Sequence, residues 1–157
     1  RRIRNEQFTA TANRAFADVI KGCAVEPNRR GHTWLFPEMI AAYTRLHRAG
    51  HAHSVETWQA GELAGGVYGV AVGGAFCAES MFYRIRDASK VALYYLVEHL
   101  RERGFGLLDI QQWTPHTGRL GAVDIPREAF LEQLAVAVDK PVRFGGPCQL
   151  EISHGRT

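Results

Sequence analysis

Cysteine is scarce in this chain. Cys23, Cys77 and Cys148 are an odd number at wide spacing, with no C-x-x-C pair. That pattern argues against a disulfide framework or a zinc ribbon and leads us to expect a reducing, cytoplasmic setting. Long apolar runs are also missing: the stretches around Leu93–Val97 and Leu134–Val138 fall far short of the ~20 residues of a membrane helix. Arg1-Arg2-Ile3-Arg4-Asn5 is basic, but no apolar segment of a secretory signal follows it. Neither sign of charge dominates. Nineteen Lys+Arg against sixteen Asp+Glu leave +3, too little on its own to indicate nucleic acid. What is present is an ordinary globular mixture, 46% hydrophobic and 22% charged over 157 residues, enough for a single self-supporting domain. The first residue is not Met, so a processed chain or part of a longer one is expected.

Periodicity places the elements. Apolar residues at Phe8, Ala12, Ala15, Phe16, Val19 and Ile20 predict an amphipathic helix over Phe8–Cys23. A second helix is expected to start at Pro37 and stop at Gly50. His53–Gln59, Leu63–Val72 and Ala75–Phe82 read as three strands, joined by turns at Ala60-Gly61 and Gly73-Gly74. Ser89–Arg103 carries the strongest helical pattern, Leu107–Trp113 reads as a buried strand, and Pro126 opens a last helix. From Pro141 onward the Gly/Pro punctuation predicts an irregular tail, residues 141–157. Helices, an antiparallel meander, a long helix and a further strand make an α+β fold of acyltransferase type.

Several polar residues stand where their presence needs a reason. In a strand, Asp109 and Gln111 share one face, and a carboxylate beside an amide can position an amine or polarise a carbonyl. Glu79 interrupts the apolar strand Ala75–Phe82 and needs a partner there, either a substrate cation or Arg84 or Arg86. His51-Ala52-His53 puts two imidazoles two residues apart, but no third ligand stands at a convincing spacing. No metal ion is expected, and His51, His53 and Ser54 are read as residues that secure the fold. Cys77 is read as a small core residue and not a nucleophile.

A series of segments, taken in order, gives the chain a family likeness. They are His32-Thr33-Trp34, Ala42 to Glu56 (AYTRLHRAGHAHSVE), Leu63 to Val70 (LAGGVYGV), Phe76 to Phe82 (FCAESMF), Ala88-Ser89-Lys90, Leu107 to Gln111 (LLDIQ) and His116 to Ala122 (HTGRLGA). Together they resemble the catalytic domain of the leucyl/phenylalanyl-tRNA–protein transferases, from about Arg1 to Phe130. The resemblance implies a GNAT-like (acyl-CoA N-acyltransferase-like) fold and an aminoacyl-tRNA donor of Leu or Phe, with Met as a further candidate. It implies an acceptor protein whose first residue is Arg or Lys and an N-terminal tag for degradation. No cofactor, no membrane association and a monomeric enzyme are expected.

The same resemblance assigns residues. Asp109, Gln111 and Glu79 take catalytic roles, with Glu79 on the donor's α-amine or the acceptor's basic side chain. Val67, Phe76, Met81, Leu93, Leu96, Leu100 and Leu108 match the pocket for the donor side chain, although such residues would be core in almost any fold. Trp34 and Tyr43 match aromatics that receive the terminal adenosine. Arg1, Arg2 and Arg4 match the end of a basic cluster that meets acceptor-stem phosphates. Two departures stand out: family members carry a further domain before this chain's first residue, residues 1–7 matching the junction, and Thr114 replaces the family's Asn. The alternatives are a relative that transfers to another peptide or small-molecule amine, and a CoA-dependent N-acyltransferase. A CoA enzyme would need a glycine-rich turn where this chain has Tyr83-Arg84-Ile85-Arg86-Asp87-Ala88-Ser89. A binding module without catalysis is disfavoured by the joint presence of Asp109, Gln111 and Glu79.

Overall fold

The computed structural model describes residues 7–25 and 35–151. The elements run β1 (Thr9–Ala12), α1 (Phe16–Val25), α2 (Pro37–Arg48), β2 (Ala52–Gln59), β3 (Glu62–Val72), β4 (Ala75–Tyr83), α3 (Ala88–Glu102), β5 (Leu107–Asp109), α4 (Pro115–Gly118), α5 (Arg127–Val138) and β6 (Cys148–Leu150). The strands form one six-stranded sheet in the order β5-β4-β3-β2-β1-β6. Every pairing is antiparallel except β4 with β5, which α3 joins as a crossover.

The two sheet faces are covered differently. On β3, Val67 packs into a cluster with Leu93, Leu96 and Leu100 of α3, together with Val55, Phe76 and Phe144. Its neighbour Tyr68 points the other way, into a cluster with Phe16, Val19 and Ile20 of α1 and Phe82. This alternation of the side chains puts α3 on one face and α1 on the other. α2 rests at the edge of the second cluster through Ile40 and Tyr43.

Three sequence expectations need correcting. Phe8–Cys23 is not one helix: Thr9–Ala12 pairs with β2 and β6, Asn13 turns the chain at φ 56°, and the helix starts at Phe16. Phe8 and Ala12 continue the helical stripe of Ala15 and Phe16, whereas Phe8, Ala10 and Ala12 alternate as a strand does. Leu107–Trp113 is a strand only as far as Asp109, and it is half-buried at the sheet's edge and not buried. The tail is irregular only in part, because Cys148–Leu150 closes the far edge of the sheet against β1. A single helical turn, α4, also appears after Thr114, whose side chain accepts from the Thr117 backbone in a reciprocal capping box.

Five of the fold's buried polar residues, Thr11, Asn13, His53, Ser54 and Glu56, form a network at the start of α1. Glu56, fully buried, accepts hydrogen bonds from the Thr11 hydroxyl, the Ser54 hydroxyl (2.5 Å) and the backbone N–H groups of Arg14 (3.4 Å) and Ala15 (3.3 Å). Asn13 donates to His53 Nδ1 (3.0 Å) and to the Gly145 carbonyl (2.8 Å), and accepts from the Ser54 backbone (3.1 Å). His53 and Ser54 thus act as the structural residues the sequence indicated, while His51 is exposed.

Candidate active site

The site lies where the parallel pair β4–β5 ends. Ala75, Phe76 and Cys77 pair with Leu107, Leu108 and Asp109, so β5 stops opposite Cys77 and leaves the remainder of β4 open on that side. Beyond Asp109 the chain turns sharply. The Gln112 N–H donates to the Ile110 carbonyl (2.8 Å), with Gln111 between them at φ 67°. This is a γ-turn of the positive-φ kind, a strained conformation for a residue with a Cβ. The Asp109 carboxylate holds it in place, accepting from the Gln111 backbone N–H at 2.7 Å. Asp109 and Gln111 are therefore coupled through the turn and not by sharing a strand face.

A second irregularity brings Glu79 to the same place. Tyr68 pairs with Ser80 and Gly69 with Ala78, so Glu79 has no partner on β3 and stands in a β-bulge, a device that re-aims side chains beside functional sites. Gly69 makes the bulge possible: a Cβ there would lie 2.2 Å from the Cys77 carbonyl oxygen and 2.5 Å from the Phe76 ring. From the bulge, Glu79 Oε2 accepts a hydrogen bond from Gln111 Nε2 at 3.0 Å. That same nitrogen lies 3.4 Å from Cys77 Sγ, and the Cys77 thiol faces Asp109 Oδ2 at 4.0 Å.

Tyr43 completes the cluster from α2. Its hydroxyl hydrogen-bonds Glu79, and burial, reinforced by that carboxylate, pushes the phenol up to about 12. It stays protonated and donates. Its ring meets Tyr68 edge-on at 5.2 Å. The sequence reading placed Tyr43 under the adenosine and missed its contact with Glu79, since no spacing within a helix reports what lies across a sheet. Burial likewise pushes the Cys77 thiol up to about 11, which keeps it a thiol. Cys77 and Glu79 stand two apart on one strand, a signal that could have grouped them.

The other expected residues divide. Val67, Phe76, Leu93, Leu96 and Leu100 are core, with Met81 and Leu108 packed against them from the edge. Leu108 also lines a cleft of about 490 Å³ that opens beside Asp109 and Gln111 and is walled by Trp113, Asp124, Arg127 and Phe130. Trp34, Arg1, Arg2 and Arg4 lie outside the described residues.

Solved structures share this architecture. A ribosomal-protein-alanine N-acetyltransferase from Brucella melitensis biovar Abortus 2308 superimposes with a TM-score of 0.50 at 18% identity, covering 76% of this chain and 94% of that one. An aminoglycoside acetyltransferase from an uncultured soil metagenomic sample gives 0.54 at 16% identity, covering 76% and 97%. These likenesses define a GNAT-like fold.

Sequence comparison is more specific. The family model described as "Leucyl/phenylalanyl-tRNA protein transferase" matches residues 1–135. Proteins named leucyl/phenylalanyl-tRNA–protein transferase from Salinibacter ruber and Pelodictyon phaeoclathratiforme are 54% and 51% identical over 88% and 92% of this chain. The chain belongs to the leucyl/phenylalanyl-tRNA–protein transferase family. It spans 60% of the length of the Salinibacter protein and 74% of the Pelodictyon protein.

Proposed function

We propose that this chain transfers a leucyl or phenylalanyl group, with methionyl as a further candidate, from the 3′ end of tRNA to the α-amine of a protein beginning with Arg or Lys. The product is a peptide bond and an N-terminal tag for degradation, made in the cytoplasm by a monomer without a cofactor. The observation that carries this reading is the fixed orientation of Gln111. Its Nε2 donates to Glu79 and Cys77; the opposite flip would set two oxygens 3.0 Å apart. Oε1 accepts no hydrogen bond among the described residues and is available to an incoming amine.

The chemistry follows from that geometry. Aminolysis requires a neutral amine with its lone pair aimed at the ester carbonyl. An amine N–H donating to Gln111 Oε1 is held in that aim. The C–N bond forms as the bond from the carbonyl carbon to the ribose 3′-oxygen breaks, and the proton lost by nitrogen ends on that oxygen. Gln111 directs the amine and Asp109 fixes Gln111 through its backbone. Glu79 offers its carboxylate to a cationic group of either substrate. The donor side chain enters beside Leu108, which lines the cleft and packs, like Met81, against the apolar cluster of Val67, Phe76, Leu93, Leu96 and Leu100. Tyr43 and Trp34 face the terminal adenosine, and Arg1, Arg2 and Arg4 meet the tRNA phosphates.

The start of α3 supports a donor other than CoA. Its N-cap is Asp87, at φ 70°, whose carboxylate is bound to Lys90 and lies 3.9 Å from Arg86. That carboxylate makes no bond to the helix's first N–H groups, and the turn Tyr83–Ser89 has no glycine of the kind that would let a CoA pyrophosphate approach the backbone.

The test is single-turnover transfer of radiolabelled Leu, Phe and Met from charged tRNA to a peptide with N-terminal Arg, comparing this chain with Asp109→Ala and Gln111→Ala. Transfer that both substitutions weaken is expected. Absence of transfer from the folded chain at high charged-tRNA concentration would overturn the reading.

A further inference from the structure

We propose that Cys77 is a positioning residue for the transfer, its thiol bridging Gln111 and Asp109 so that the Gln111 amide presents its carbonyl oxygen to the acceptor amine. The inference rests on the reaction proposed above and adds a residue to it.

Three observations carry it. Cys77 is the register partner of Asp109 at the last paired position of β5, so the backbone itself sets its side chain beside the turn. Its sulfur takes the Gln111 Nε2–H at 3.4 Å and faces Asp109 Oδ2 at 4.0 Å, so it meets both the side chain at the centre of the γ-turn and the carboxylate that holds that turn. Glu79 alone does not fix the amide: one carboxylate oxygen occupies one of the two Nε2 hydrogens, and the second is left to Cys77. With both hydrogens engaged, the amide plane is set and rotation about the last side-chain torsion is opposed.

The state of the thiol fits this role. Half-burial, with Glu79 and Asp109 close by, keeps the proton on sulfur despite the opposing Gln111 contact. A thiol is both a weak donor and a weak acceptor, which the two contacts require. A thiolate would lose the donor hydrogen and repel Asp109. Cys77 therefore needs no covalent step.

The experiment compares the wild-type chain with Cys77→Ala and Cys77→Ser. Single-turnover transfer from charged tRNA to an N-terminal-Arg peptide is followed against acceptor concentration, together with the thermal midpoint of each protein. Cys77→Ala is expected to lower the maximal single-turnover rate about tenfold with the half-saturating acceptor concentration within about twofold, because misplacement of a reacting group costs rate before binding. Cys77→Ser, which keeps a donor and an acceptor, is expected to recover at least half of the wild-type rate. An alanine variant as fast as wild type overturns the proposal. So does a serine variant as slow as alanine, and so does a loss that follows the thermal midpoint in both. A second readout does not depend on activity: the side-chain amide signals of Gln111 in a 15N-labelled sample. Cys77→Ala is expected to shift them and speed their hydrogen exchange, and Cys77→Ser to restore them. Unchanged signals overturn the proposal, even for a chain that transfers nothing, an outcome that would itself refute the functional reading.

Discussion

Gln111 Nε2 lies 3.0 Å from a carboxylate oxygen of Glu79, and neither residue reaches the other from regular secondary structure. Gln111 stands in a positive-φ γ-turn and Glu79 in a β-bulge. Two local departures, one within β4 and one just past the end of β5, are what bring a carboxylate and an amide together at the open end of the sheet.

The strain at Gln111 can be separated from its chemistry. Glycine adopts positive φ without the penalty of a Cβ, a difference of about 1 kcal/mol. Gln111→Gly is expected to unfold at the same or slightly higher denaturant concentration than wild type, since the side chain is exposed. Its transfer rate is expected to fall about 100-fold, the scale of losing one oriented group at a reaction centre. Urea titration and single-turnover assay of the same preparation check both halves.

Gly69 is where the bulge is most sensitive. Because a Cβ would stand 2.2 Å from the Cys77 carbonyl oxygen, and backbone cannot move aside as a flexible side chain can, Gly69→Ala is expected to cost about 2–3 kcal/mol. That corresponds to a fall in Tm of roughly 5–10 °C in a domain of this size. Transfer measured well below the new Tm is expected to drop as well, since the bulge that aims Glu79 is displaced. Wild-type activity in a destabilised variant would show that the bulge is not needed.

Acid should loosen the fold through His53. It stacks on Phe144 at 4.3 Å, and burial, then the neighbouring His47, lowers it from 6.5 to about 4. Between those values the unfolded chain binds a proton that the folded chain does not, so stability is complete above about pH 6.5 and is lost as pH falls toward 4. Protonation also turns Nδ1 into a donor facing the Asn13 amide that now donates to it. Burial lowers His99 in the same direction. Urea midpoints between pH 7.5 and 4.5 should decline for wild type and decline less steeply for His53→Gln.

Much of the scaffold was legible because its signals are local. Pro37 and Gly50 bracket α2, Ala60-Gly61 and Gly73-Gly74 make the two hairpin turns, and the apolar stripe of α3 marks its buried face. β1 was hidden because Phe8 and Ala12 also continue the helical stripe of α1, and its strand state depends on having β2 and β6 on both sides. β6 is a strand for the same reason: only β1 makes it one.

The site was legible as a set of residue types and not as an arrangement. Sequence alone determined that Glu79, Asp109 and Gln111 are present, that β4 and β5 are largely apolar, and that Gly69 is small. Tertiary structure decided that β5 ends at Asp109, that Glu79 falls in the bulge opposite Gly69, and that Tyr43 and Cys77 join the cluster. The physical reason is range. Helix stripes and hairpin turns are fixed by neighbours a few residues away, whereas the contact between Glu79 and Gln111 spans 32 positions and exists only once the crossover through α3 has laid β5 beside β4.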